Sequence, residues 1–124
     1  MSKVRLFVYG TLNDPEALTR LLGNRDRWRE VGVGAVRGAL FDLGDFPGLL
    51  ESESSADTVR GMVIELTEPD VALTRLDAYE GVHDGVYVRR EMPVRLDAGK
   101  SLNAWVYLYN RPVGKGRRIA GWPP

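Results

Sequence analysis

The first twelve residues constrain the rest of the chain most. Val4, Leu6 and Val8 alternate with Arg5, Phe7 and Tyr9 before the run stops at Gly10-Thr11-Leu12. A strand sends alternate side chains to opposite faces, so Val4, Leu6 and Val8 share one face of a sheet and Phe7 and Tyr9 the other. Gly10 offers backbone angles that other residues avoid, and Asn13-Asp14-Pro15-Glu16 reads as the cap and first turn of a helix. A strand, a glycine turn and a helix start bring unpaired backbone N–H groups together, which suits a carboxylate or a developing oxyanion. The same residues also read as a buried edge strand followed by a capped helix, with no chemistry attached.

A chain of 124 residues is expected to form one domain, residues 1–124, around a single core. Lys plus Arg and Asp plus Glu each number 17, so no net field draws nucleic acid or an anionic membrane surface. The absence of cysteine excludes a disulfide framework, a thiolate nucleophile and any cysteine-ligated metal. No apolar run approaches the roughly 18 residues of a membrane span, and the N-terminus lacks a signal-peptide core, so a cytoplasmic location is expected.

Ala17, Leu18, Leu21 and Leu22 predict a short helix over Glu16 to Leu22, ended by Gly23-Asn24. Asn24 to Glu30, charged around Trp28, reads as a loop. Val31 to Leu43 reads as a strand in which Gly32, Gly34 and Gly38 mark bends or the close approach of another backbone, as at a barrel corner. Gly32-Val33-Gly34 lacks the third glycine and the following helix of a dinucleotide site. Gly44 to Gly48 is a rigid turn, followed by Leu49-Leu50 and a polar loop to Asp57. Further strands are predicted over Thr58 to Leu66, Val86 to Leu96 and Ser101 to Asn110. In the last of these, Leu102, Ala104, Val106 and Leu108 oppose Trp105, Tyr107 and Tyr109. The tail, with Lys115, Arg117 and Arg118 near Trp122, reads as a solvated basic loop.

A second helix is expected over Glu68 to Glu80, with Thr67 as its cap, Asp70 as capping partner and Pro69 in the first turn. Ala72, Leu73, Leu76 and Tyr79 define its apolar arc. At the ideal turn of about 100° per residue, Glu80 falls between Leu73 and Leu76 in azimuth, on the buried side. Burial and the negative end of the helix dipole both push a glutamate upward from its reference of about 4.3, toward proton transfer near neutrality. Asp77, on the rim of the arc, reads as solvated. The alternative is that Glu80 frays outward or pairs with an arginine such as Arg89. His83, beside Asp84 in the next loop, reads as surface, and no metal site from Glu80, His83 and Asp84 is expected.

Five blocks then fall into register: Phe7-Val8-Tyr9-Gly10-Thr11-Leu12, Phe41 to Gly48, Leu76-Asp77-Ala78-Tyr79-Glu80-Gly81, Tyr87-Val88-Arg89 and Ala104-Trp105-Val106-Tyr107. In this order, and over nearly the whole chain, they resemble the gamma-glutamylcyclotransferase-like family. The tail from Tyr109 to Trp122 is similar to its small bacterial members. The resemblance implies an α+β fold, a small mixed β-barrel of five to seven strands with two main helices. It also implies an enzyme, one in which the α-amine of a gamma-glutamyl group attacks its own γ-carbonyl and releases 5-oxoproline and an amine or amino acid.

By the same resemblance Glu80 matches the family's acid/base. Tyr9, Gly10, Thr11 and Leu12 match its substrate-binding loop, with Thr11 where many members have serine. Tyr87 and Tyr107 are expected to line the pocket, their alternative role being barrel packing. The nucleophile is tethered within the substrate, so neither a cofactor nor a metal is required. The expected partner is a small gamma-glutamyl molecule, with no nucleic acid and no membrane; the oligomeric state stays open. The tail departs from the family in lacking an acidic residue between Gly121 and Trp122, which leaves the leaving group open. A non-catalytic small-molecule binding protein on the same barrel is the rival reading, and nucleic-acid binding through Lys115, Arg117 and Arg118 a more distant one.

Overall fold

In the computed structural model, which describes residues 3–124, a long second strand closes the sheet on itself. Met1 and Ser2, at the head of the opening stretch, lie outside the described residues. The elements run β1 (Val4–Val8), α1 (Pro15–Leu22), β2 (Trp28–Asp42), β3 (Pro47–Glu51), β4 (Thr58–Leu66), α2 (Pro69–Glu80), β5 (Tyr87–Leu96), β6 (Ser101–Tyr109) and β7 (Arg117–Ile119). Short 3-10 turns at Thr11–Asn13 and Arg25–Arg27 flank α1.

Hydrogen bonding passes in the order β2-β4-β1-β6-β5 and returns to β2 where Gly34 and Ala35 pair with Leu96 and Arg95. The result is a closed barrel of five strands, with β3 and β7 added along the end of β2. It is mixed, because β1 pairs parallel with β6 and antiparallel with β4. This is the architecture that the family resemblance implied. Gly34 permits the closure: a Cβ there would stand 2.7 Å from the Arg95 carbonyl oxygen. A bulge between Glu30 and Gly32 adds to the bend.

Alternation divides the core in two. Phe7, Tyr9, Val36, Val63, Val94 and Val106, drawn from all five barrel strands, pack together inside the barrel. Leu6, Val8, Ile64 and Leu66 point the other way and are covered by Leu18 and Leu22 of α1 and Ala72 and Leu76 of α2. Both faces of β1 are therefore buried, and it is a central strand rather than an edge. Burying each such leucine or valine contributes about 1.5–3 kcal/mol, which holds both helices against the barrel wall.

Several local expectations are corrected. Trp28 opens β2 instead of sitting in a loop, because its ring is buried, its indole N–H donates to Thr19 Oγ1 at 3.1 Å and Arg25 covers its face. Thr67 does not cap α2; its hydroxyl donates to the Asp26 carbonyl, and the N-cap is Glu68. The basic tail is not a free loop. Residues Arg117–Ile119 pair with β2, Arg118 bonds Asp57 at 3.0 Å, and Ile119 and Trp122 pack against the interior cluster.

Candidate active site

Two chain segments that stop abruptly build one cavity. The first is the end of β1. Asp14 caps α1 by accepting the Glu16 N–H, and Pro15 takes the first helical position, so the chain must turn between Tyr9 and Asn13. The Gly10 and Thr11 carbonyls accept from Asn13 and Asp14. Among the described residues, the N–H groups of Gly10, Thr11 and Leu12 have no acceptor. Gly10 is needed for a different reason from the one expected: its φ is −116°, open to any residue, but a Cβ would lie 2.8 Å from Pro47 Cγ.

The second is the end of α2. Gly81 stops the helix in the left-handed conformation with φ 68°, its N–H returning to Ala78 and Asp77. Leu76 is 0% exposed and anchors this last turn against the barrel. Glu80, one turn further on, faces a cavity of about 250 Å³. Tyr9 to Leu12, Tyr87 of β5 and Tyr107 of β6 line the same cavity, so the residues nominated as catalytic or substrate-binding are brought together, whereas Lys115, Arg117 and Arg118 lie away from it. The volume is slightly below the roughly 300–1,000 Å³ of drug-sized pockets, the scale of one small acyl group.

Burial raises the Glu80 carboxyl to about 7. Among the described residues no hydrogen bond or ion pair reaches it, and burial is the sole cause of the shift. The alternative partner, Arg89, is engaged elsewhere. Its Nε and Nη2 donate to Asp77 at 2.8 and 3.1 Å, and its guanidinium stacks 4.3 Å from the Trp105 ring. Asp77 is thus a held ion-pair partner, not the solvated residue expected. Its partial burial pushes the carboxyl up, but hydrogen bonds from Arg89 and Tyr107, with the guanidinium charge, outweigh this and leave it below its ordinary value.

The tyrosine hydroxyls fix the walls. Tyr9 donates to the Tyr107 carbonyl at 2.6 Å, Tyr87 to the Pro47 carbonyl and Tyr107 to Asp77 Oδ1 at 2.7 Å. Burial first, then the neighbouring Glu80 charge among others, keeps the Tyr9 and Tyr87 phenols protonated far above neutrality. They line the cavity and pack the core at once, as Tyr87 and Tyr107 belong to the helix-side cluster.

Sequence reasoning missed Phe46, Pro47, Tyr79 and Val86, which also line the cavity. The helical spacing places Tyr79 on the buried arc, but the residue is half exposed. Phe46 is an aromatic residue in a turn otherwise built of Gly, Asp and Pro, and that oddity was the available signal. His83 is exposed, and among the described residues no group of three potential metal ligands is found. A proton-accepting carboxyl near neutrality beside unengaged amides can move a proton and stabilise a negative oxygen within one small space.

Residues 6–122 match the family described as gamma-glutamyl cyclotransferase, AIG2-like. A Methanocaldococcus jannaschii protein that carries the provisional name gamma-glutamylcyclotransferase MJ1514 is 37% identical over 68 residues, 55% of this chain and 53% of its own. The match therefore spans about half the length of that relative. Among solved structures, a mouse AIG2-like protein superposes with a TM-score of 0.76 at 22% identity, covering 98% of this chain and 89% of its own. The human protein LOC79017 superposes with a TM-score of 0.74 at 21% identity, over 95% of this chain and 70% of its own. At these identities the structural likeness speaks for the fold alone.

Proposed function

The chain belongs to the gamma-glutamyl cyclotransferase, AIG2-like family, and from that premise we propose that it cyclises gamma-glutamyl substrates to 5-oxoproline, with Glu80 as general acid/base. The observation that carries this reading is the Glu80 carboxyl, near 7 and without a partner among the described residues, sharing a cavity with Gly10, Thr11 and Leu12, whose N–H groups have no acceptor among those residues.

The substrate's α-ammonium gives a proton to the Glu80 carboxylate and becomes a nucleophilic amine. Its nitrogen bonds to the γ-carbonyl carbon, and the carbonyl oxygen becomes an oxyanion held by the loop amides. The bond from that carbon to the leaving nitrogen then breaks. Of the two protons lost from the ammonium, Glu80 returns one to the leaving nitrogen before it departs, and the freed amine takes up the second. Because the amine is tethered, folding the substrate into attack geometry supplies much of the rate. The tyrosines, held neutral, shape the cavity without competing for the proton. A cytoplasmic location and a small soluble partner complete the reading; among the described residues no helix is long and apolar enough to cross a membrane.

The test incubates the protein and a Glu80→Gln variant with gamma-glutamyl amino acids and gamma-glutamyl amines and measures 5-oxoproline. Turnover by the wild type and its loss in the variant are expected. Turnover that survives the substitution removes Glu80 from the mechanism. Thermal stabilisation by these compounds without product would favour a binding protein instead.

A further inference from the structure

Two walls of the cavity differ in how firmly they are held. On the β3 side Pro47 is buried and fixed from several directions. It pairs with Asp42 across the β2–β3 ladder, its carbonyl accepts the Tyr87 hydroxyl of β5, and Leu49, two residues on, is fully buried in the interior cluster. Gly48 lets this wall seat closely, since a Cβ there would stand 3.0 Å from Tyr109 Cβ. On the β1 side the turn from Gly10 to Leu12 has less to hold it. Leu12 is buried, but Thr11 is exposed. The backbone bonds of the turn run from Asn13 to Gly10 and from Asp14 to Thr11, and the N–H groups of Gly10, Thr11 and Leu12 have no acceptor among the described residues.

The firm wall and the loose one meet at Gly10. A Cβ on Gly10 would lie 2.8 Å from Pro47 Cγ and 3.4 Å from Pro47 Cδ, and beyond its chain neighbours no other described atom would come within 4 Å of it. The Gly10 Cα, one C–C bond behind, is therefore within contact range of the ring. Proline suits an abutment, because its closed ring presents a surface that does not swing between rotamers. A turn with few bonds of its own rests where such a contact stops it. Donors aimed at a developing oxyanion act only when fixed before the charge forms, and misplacement by about 1 Å costs on the order of 10²-fold in rate.

We propose that Pro47 is a positioning residue, its ring the abutment that sets where the N–H groups of Gly10, Thr11 and Leu12 stand to meet the oxyanion. This rests on the cyclotransferase reading and adds to it the part that aligns its oxyanion site; the bonds made and broken are the same. Wild type, Pro47→Ala, Gly10→Ala and the double variant are compared on the gamma-glutamyl amino acids and amines of the preceding test, with thermal melts reporting each fold. Pro47→Ala, which removes Cγ and Cδ, is expected to lower kcat about tenfold with KM held within about twofold, as befits an interaction made in the transition state. Gly10→Ala presses a methyl into the ring and is expected to lose about 10²-fold. In the double variant the methyl meets no ring, so kcat should recover at least about tenfold over Gly10→Ala, whereas independent packing losses would add. The Gly10, Thr11 and Leu12 amide resonances should also move in Pro47→Ala without substrate. If Pro47→Ala does not fold, Gly10→Ala still decides: its methyl should shift the Pro47 ring protons, and an unmoved ring would overturn the contact. A double variant no more active than Gly10→Ala, or Pro47→Ala with wild-type kcat and unmoved loop amides, would overturn the abutment while 5-oxoproline still forms. Absence of 5-oxoproline from the wild type would instead sink the cyclotransferase reading, and the oxyanion role of the abutment with it.

Discussion

Asp77 and Glu80 stand three residues apart on α2, close enough to be neighbours on its surface, yet their surroundings drive them in opposite directions. Asp77 accepts two bonds from Arg89 and one from Tyr107, and is held below its ordinary carboxyl value. Glu80 has no partner among the described residues and is raised to about 7. Burial acts upward on both, so burial alone does not distinguish them. Partners do: a carboxylate given a guanidinium and a hydroxyl becomes a fastening, and one left alone in a cavity becomes available to a substrate proton. The fastening also serves the cavity, since it ties the end of α2 to β5 and β6, which carry Tyr87 and Tyr107.

The contrast can be broken in five ways. Glu80→Gln should lower kcat for 5-oxoproline release by about 10²–10⁴-fold, the usual range for a lost general acid/base. In the wild type, activity should rise with pH through about 7, as the Glu80 carboxylate ionises. An activity profile flat between pH 5 and 8 would contradict the assignment.

Asp77→Asn should act on stability first, costing about 2–3 kcal/mol in urea unfolding at pH 7, because it leaves the half-buried Arg89 without its anion. Asp77 does not line the cavity, so the loss of activity should be far smaller than for Glu80→Gln. The sign with pH is set by the lowered carboxyl: its contribution is present above the ordinary 3.8 and lost as pH falls through the folded value. The penalty of Asp77→Asn should therefore shrink in strong acid. A variant as inactive as Glu80→Gln would erase the distinction between the two residues.

For Glu80 the linkage runs the other way. The folded carboxyl is raised from 4.5 to about 7, so its stabilising contribution is whole below pH 4.5 and gone once pH has risen through 7. Glu80→Gln does not titrate. Relative to the wild type it should gain stability above pH 7, on the order of 3 kcal/mol, and lose that advantage near pH 4. Thermal melts at the two pH values check this. The smallest effect is expected from Tyr107→Phe, which removes one hydrogen bond to Asp77. It should cost about 0.5–1.5 kcal/mol and move the Asp77 carboxyl upward, while the Tyr9 bond to the residue 107 carbonyl remains.

Much of this was legible in the sequence, for reasons confined to short stretches. The bounds of β1 and β4, the stop of α2 at Gly81, the two faces of β6 and the inward azimuth of Glu80 all follow from side-chain periods of two and 3.6 residues, which a dozen consecutive residues carry. The remainder was decided by contacts between segments far apart in the chain. Trp28 joins a strand because Thr19 of α1 receives its indole N–H. Gly10 is a glycine because Pro47, from a different turn, lies against it. Above all, the local sequence presents Arg89 with two acidic candidates one helical turn apart, and only the seating of β5 and β6 against α2 decides that Asp77 receives it. Ion pairing depends on distances of a few ångströms between elements. No local periodicity encodes those distances, and on them rests the difference between a structural aspartate and a glutamate left free to work.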